Sequence, residues 1–247
     1  MKKALLIMVL LLPISVVFAN DIFSAAEHGT PVQVRAALIA GADANQKDTK
    51  GWTPLMHAAS LAMDPDVVAT LLAAGARVNE ADDKGQTALF LAARSNVRQQ
   101  VASVLLAAGA RVNAPSQEGE TPLMAAAAYN SNPQVAQMLL SHGAEPNARN
   151  SEGMTPLMLA AMLNGERHMV QTLVAGGARV NERGPGGKTA LMYAAQFTMN
   201  PEVISALLVA RADRNLKSDA GLAAADYAQA NPNLAGTSVP LVLKPGK

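Results

Sequence analysis

The threonines Thr53, Thr87, Thr121, Thr155 and Thr189 stand 34 residues apart, each in a recurring stretch best preserved as Gly119-Glu120-Thr121-Pro122-Leu123-Met124-Ala125-Ala126-Ala127. Other residue types keep the same step. Glycine recurs at Gly51, Gly85, Gly119, Gly153, Gly187 and Gly221, and asparagine at Asn45, Asn79, Asn113, Asn147, Asn181 and Asn215. Agreement among unrelated residue types marks a tandem repeat. A unit this short cannot enclose a core, so its apolar face must be covered by the next unit. The chain has to build a stack.

Each unit reads as two short helices and an extended connection. Thr53-Pro54 opens the first helix: threonine caps free N–H groups, and proline at the first helical position lacks an N–H that would have no helical partner anyway. Leu55, Ala58 and Ala59 give this helix a narrow inner face of small residues. Asp64-Pro65 starts the second helix, whose apolar stripe is Val67, Val68, Leu71 and Leu72 at helical spacing. Gly75 ends it in a left-handed conformation that a Cβ would penalise. The same glycine recurs at Gly41, Gly109, Gly143 and Gly177, but Arg211 stands there in the last unit. That exception predicts either local strain of about 1 kcal/mol or a helix that ends differently.

The pattern GxTPLxxAA, followed by V..LL..GA..N, resembles the ankyrin repeat over about residues 21–230. The resemblance implies an all-α fold, an ankyrin-repeat solenoid of stacked helix pairs with extended hairpin-like loops. Residues 20–230 then form one repeat domain. A helical pair at 21–40 is its N-terminal cap, and five full units begin near Asp48, Asp82, Ser116, Asn150 and Gly184. A partial unit from Ser218 closes the stack, with Ala223-Ala224-Ala225 in place of Thr-Pro-Leu. Residues 231–247 hold three prolines and no period, which predicts an irregular tail that could lie along the last repeat.

Two departures from the family pattern stand out. The family's unit is about 33 residues, so one extra residue falls between the helices here, as at residues 60–64. The histidine usual after Thr-Pro-Leu is replaced by Met56, Phe90, Met124, Met158 and Met192. In the family that histidine ties neighbouring loops by hydrogen bonds; an apolar replacement moves the role to packing.

The N-terminus predicts export. Met1-Lys2-Lys3 is a basic start, residues 4–18 are an apolar run of 15 broken by Pro13, and Val17-Phe18-Ala19 predicts cleavage before Asn20. The run is shorter than the roughly 20 residues a bilayer needs. Residues 1–19 are therefore expected to be a bacterial signal peptide, leaving a periplasmic or secreted monomer with no stable membrane insertion. Without Lys2 and Lys3, 18 of the 20 basic residues face 19 acidic ones, a balance that provides no general nucleic-acid surface. The absence of cysteine excludes disulfides, thiol catalysis and cysteine-bound metal.

No constellation for catalysis emerges. His28, His57, His142 and His168 lack metal-ligand spacing; His28 and His142 precede glycines at helix ends, where an imidazole meets free carbonyls. Residues 184–189 end in Gly-Lys-Thr, but Glu182 occupies the place of the first glycine of a phosphate loop, and the period already explains Gly187 and Thr189. What remains is a flexible hairpin tip. There is no GxSxG and no SxxK. The expectation is a protein that is not an enzyme and takes no cofactor or metal.

Function should lie where the units differ. In ankyrin-like stacks the hairpin tips and the exposed side of the first helices line a concave partner surface. Carried over by position, the candidates are Trp52, Gln86, Glu120, Met154 and Lys188 before the threonine, with Lys47, Lys50, Lys84, Glu118 and Arg149 at the tips. After the Ala-Ala pair come Arg94 and the set Leu61, Tyr129, Leu163 and Phe197. That set is either core under the longer inter-helix loop or an exposed apolar band. Trp52, the single tryptophan, is expected to anchor a partner, so that Trp52→Ala weakens binding and leaves unfolding nearly unchanged. The resemblance implies a protein-binding module whose partner is another exported protein. The role ranked first is an inhibitor, immunity or self-protection partner of a cell-wall-active or toxic enzyme. The others are a scaffold or stabiliser of a periplasmic enzyme, such as an oxidative-stress enzyme, and a small-ligand or cell-wall-fragment binding enzyme.

Overall fold

The computed structural model describes residues 21–95 and 98–244, so the leader and cleavage site expected from the sequence lie outside the described residues. The chain forms successive helix pairs: α1 Ile22–His28 with α2 Pro31–Ile39, α3 Pro54–Leu61 with α4 Pro65–Ala73, and α5 Ala88–Ser95 with α6 Gln99–Ala107. Then come α7 Pro122–Tyr129 with α8 Pro133–Ser141, α9 Pro156–Leu159 with α10 Arg167–Ala175, and α11 Ala190–Phe197 with α12 Pro201–Val209. The stack closes with α13 Ala224–Ala230 and α14 Val239–Val242. Among the described residues there is no strand, only an isolated bridge between Ala81 and Thr87.

The first helices of successive pairs pack on one another in one row, and the second helices do so in another. Every described residue of α7 but Tyr129 is buried, which its run of alanines permits. The second helices bury a single stripe, such as Val67, Val68 and Leu71 or Val135, Ala136 and Leu139. The threonine caps form as the sequence predicts: Thr53, Thr87, Thr121 and Thr155 each accept the N–H three residues on, at 3.3–3.4 Å. Thr189 departs from the series, its buried hydroxyl having no hydrogen-bond partner.

The periodic asparagines supply the joints between units. Asn113 donates its amide to the Gly143 carbonyl at 3.0 Å and accepts the Glu145 N–H at 3.0 Å. Asn45, Asn79, Asn147 and Asn181 make the same pair of bonds one unit on. Met56, Phe90, Met124, Met158 and Met192 are each almost fully buried, so packing does replace hydrogen bonding at those positions.

The inserted inter-helix residue is absorbed in two ways. In most units the first helix simply runs on to an exposed residue; in the fourth, α9 widens into a π-turn at Ala160–Asn164. The loop is then tied back by a second set of amides. Asn130 donates to the Ala93 carbonyl, Asn164 to Asn130 and Asn200 to Gly165, at 2.9–3.0 Å. The 34-residue steps from Asn96 to Asn130 and from Asn130 to Asn164 hinted at this in the sequence.

Two expectations change and one alternative is decided. Residues 231–244 are not irregular: a 3-10 turn at Pro232–Leu234 and α14 bury Leu234, Val239 and Leu243 against the last unit. These apolar side chains sit at no repeat spacing, so the period could not reveal them. The glycine-rich tip is an ordered 3-10 turn, held by the Tyr193 hydroxyl on the Pro185 carbonyl at 3.2 Å and by the Asp219 N–H on the Gly186 carbonyl at 2.9 Å. Arg211 keeps the helix ending of the other units at φ 66°, where they place glycine, for example Gly143 at φ 86°. Of the two sequence alternatives, strain is the one that occurs.

Candidate protein-interaction surface

The set that follows Ala-Ala is exposed. Leu61, Tyr129, Leu163 and Phe197 are 45%, 51%, 46% and 45% accessible, each at the end of a first helix. Burying such apolar area stabilises a complex by about 25 cal/mol per Å² before ordering costs. Met63 and Met199, two residues further along their loops, are also exposed. The amides of Asn130, Asn164 and Asn200 hold the loops after Tyr129, Leu163 and Phe197 to the preceding unit, so these three side chains are presented by a fixed backbone.

Beside the row lies a pocket of about 270 Å³ lined by Lys84, Gln86, Arg94, Glu118, Glu120 and Tyr129. The Arg94 guanidinium lies over the Tyr129 ring, 5.1 Å from its centroid. Burial, then the Glu118 carboxylate, raise the Glu120 carboxyl above its ordinary value; Arg94 opposes them and Glu152 adds to them. Larger clefts of about 700 and 620 Å³ lie between α2 and α4 and between α8 and α10. Both are open grooves along the second-helix row, away from the exposed apolar set.

Several candidates serve the stack itself. Lys47 pairs with Glu80 at 2.8 Å and donates to the Ala81 carbonyl. Arg149 pairs with Glu182 and donates to the carbonyls of Gly153 and Arg183. Lys188 bonds Gln196 at 2.7 Å and lies between the rings of Tyr193 and Tyr227, 5.6 and 4.9 Å from their centroids. Met154 is corrected outright: at 3% exposure it is core, not surface. The tip residues Lys50, Lys84 and Glu118 remain exposed, and Gln86 and Glu120 are half-buried.

Trp52 is also revised. It is half-buried against the core, its indole N–H donates to Asp82 Oδ2 at 3.0 Å, and its ring meets His57 edge-on at 5.2 Å. His57 packs on Phe23 as well and reaches Asp48 Oδ2 with Nε2 at 3.0 Å. This histidine is part of the first joint. His142 Nδ1 meets the Met138 carbonyl at 2.9 Å, the helix-end role its place before glycine predicts. Among the described residues no group of three or more His, Asp or Glu side chains could hold a metal ion, and no helix is long and apolar enough to cross a membrane.

Stacked helix pairs with a displayed apolar row define a repeat solenoid built to present a surface. A family model described as "Ankyrin repeats (3 copies)" matches residues 22–116, 62–150, 102–184 and 123–218, and the chain belongs to the ankyrin-repeat family. The crystal structure of the human ASB11 ankyrin repeat domain is similar, with a TM-score of 0.79 at 24% identity over 92% of this chain and 99% of that one. That likeness shows the fold. No curated protein matches the chain in sequence. Ankyrin repeats are in general non-catalytic modules that bind protein partners.

Proposed function

We propose that this protein is exported and acts as a stoichiometric inhibitor or protective partner of another exported protein, an enzyme active on the cell wall or toxic to the cell. The observation that carries a binding role is the row Leu61, Tyr129, Leu163 and Phe197, exposed, with the last three on backbone that the loop asparagines hold in place. A surface ordered before binding avoids the entropy of ordering it afterwards, which suits tight one-to-one binding. The leader-like residues 1–19 support export.

The test is recovery of a partner from periplasmic and secreted fractions with tagged protein, followed by assay of the partner in the complex. Inhibition is supported by one stoichiometric enzyme that is silent when bound and active when released. A bound enzyme that stays active and survives longer supports a stabilising scaffold instead. Capture unaffected by a Tyr129→Ala, Phe197→Ala double variant moves the binding surface elsewhere.

A further inference from the structure

Sulfur chemistry in this chain belongs to methionine alone, because the 247 residues hold 12 methionines and no cysteine. Their exposure divides sharply. Met56, Met124, Met154, Met158, Met169 and Met192 are buried, at 3% accessibility or less, and Met138 and Met162 are half-buried. Met63 and Met199 are 73% and 77% accessible. Met1 and Met8 fall outside the described residues. The two exposed methionines share one repeat position, two residues beyond Leu61 and Phe197 of the apolar row; Ser131 and Gly165 fill that position after Tyr129 and Leu163. Their surroundings differ. Arg98, exposed just ahead of α6 in the next unit, directs Nη2 at Met63 Sδ from 4.0 Å. A thioether is only a weak acceptor for such a donor. In the corresponding place beyond Met199 stands Leu234, which is fully buried.

We infer that Met63 and Met199 are modification sites for peroxide, and that Arg98 holds the Met63 sulfoxide. A lone pair of the thioether sulfur attacks one oxygen of hydrogen peroxide. The O–O bond breaks as the S–O bond forms, and the departing hydroxide takes the proton of the transferred oxygen and leaves as water. Sulfur is oxidised by two electrons, and the peroxide is reduced. The sulfoxide is polar and is reversed by methionine sulfoxide reduction. Packing denies peroxide a path to the buried sulfurs, so the reaction falls on the two ends of the apolar row. At both ends an apolar side chain becomes a dipole. At Met63 the new oxygen is a strong acceptor beside a guanidinium, and a charge-assisted hydrogen bond then ties the loop after α3 to the head of α6. Leu234 offers Met199 no such donor. This chemistry does not depend on what the row binds.

The test is hydrogen peroxide treatment of the folded full chain, read by peptide mass spectrometry at low conversion and by the NMR signal of the Arg98 Nε–H. Met63 and Met199 should gain one oxygen each, about tenfold faster than the buried methionines. The Arg98 signal should move on oxidation of the parent and of Met199→Leu, stay in place for Met63→Leu, and return after treatment with a methionine sulfoxide reductase. Oxidation of the buried methionines at the same rate as Met63 and Met199 overturns the assignment of the sites. An Arg98 signal that stays in place while Met63 is oxidised, or that moves equally in Met63→Leu, overturns its hold on the sulfoxide.

Discussion

The indole N–H of Trp52 donates to Asp82 Oδ2 at 3.0 Å, and so the single tryptophan joins the first full unit to the second. Its ring also packs on His57 and on the core. Trp52→Ala should therefore lower unfolding stability by about 2 kcal/mol or more, through lost packing and the loss of the partner of Asp82 Oδ2. Trp52→Phe keeps most of the packing and should cost about 1 kcal/mol. Urea unfolding followed by far-UV circular dichroism distinguishes them; an alanine variant as stable as the parent would return Trp52 to the free surface.

The asparagine ladder predicts a position-dependent cost. Removing Asn113 leaves the Gly143 carbonyl and Glu145 N–H without partners, and each orphaned group costs about 1 kcal/mol. Asn113→Ala should lower stability by about 2 kcal/mol. Asn215 has the same spacing but makes no such bond among the described residues, and Asn215→Ala should change stability by less than about 0.5 kcal/mol. Equal losses at both sites would mean that the asparagines act within units and not between them.

Arg211 is the one non-glycine residue with positive φ among the described residues. Arg211→Gly should remove the left-handed penalty and stabilise the protein by about 1 kcal/mol. Thermal unfolding reads the gain. A loss would mean that the arginine side chain contributes more than its backbone costs.

What the sequence showed and what it hid divide by period. Gly143, Thr121, Pro122 and Asn113 recur because each answers a local need of turn, cap or joint, and such needs repeat with the unit. Arg211 was visible as a broken repeat. Leu234, Val239 and Leu243 cap an end, which occurs once, so no spacing marked them as core. Tyr129 and Phe197 sat where composition alone could place them inside or outside; the hydrogen bonds of the neighbouring asparagines turn them out. Trp52 and Met154 share a repeat position yet differ in exposure, because tip contacts vary between units even when backbone does not.

The first joint should weaken in acid. Partial burial pushes the Asp48 carboxyl up, but the N–H groups of Trp52 and Lys50 and the His57 side chain outweigh it and hold it below its ordinary value of 3.8. A carboxyl with a lowered folded-state pKa stabilises the fold above its unfolded value, and that contribution is lost as pH falls through the folded value. Trp52 fluorescence, reporting from the same joint, should follow the loss below about pH 4. Asp48→Asn should flatten this part of the acid transition; an unchanged profile would assign it to other carboxylates.

Glu120 should show the opposite sign. Burial and the Glu118 carboxylate lift its carboxyl above the ordinary value of 4.5, with Arg94 opposing and Glu152 reinforcing. The folded state therefore holds the proton more tightly than the unfolded state, and ionised Glu120 is a destabilising charge at neutral pH. Glu120→Gln should stabilise the protein at pH 7, with the gain shrinking as pH falls through the folded value and absent below the unfolded one. Urea midpoints for the parent and the variant at pH 7 and at about pH 3.5 make the comparison. If the variant also loses partner binding, the same carboxylate that weakens the free fold serves recognition. A variant less stable than the parent at pH 7 would show that Arg94 and its neighbours already compensate the charge.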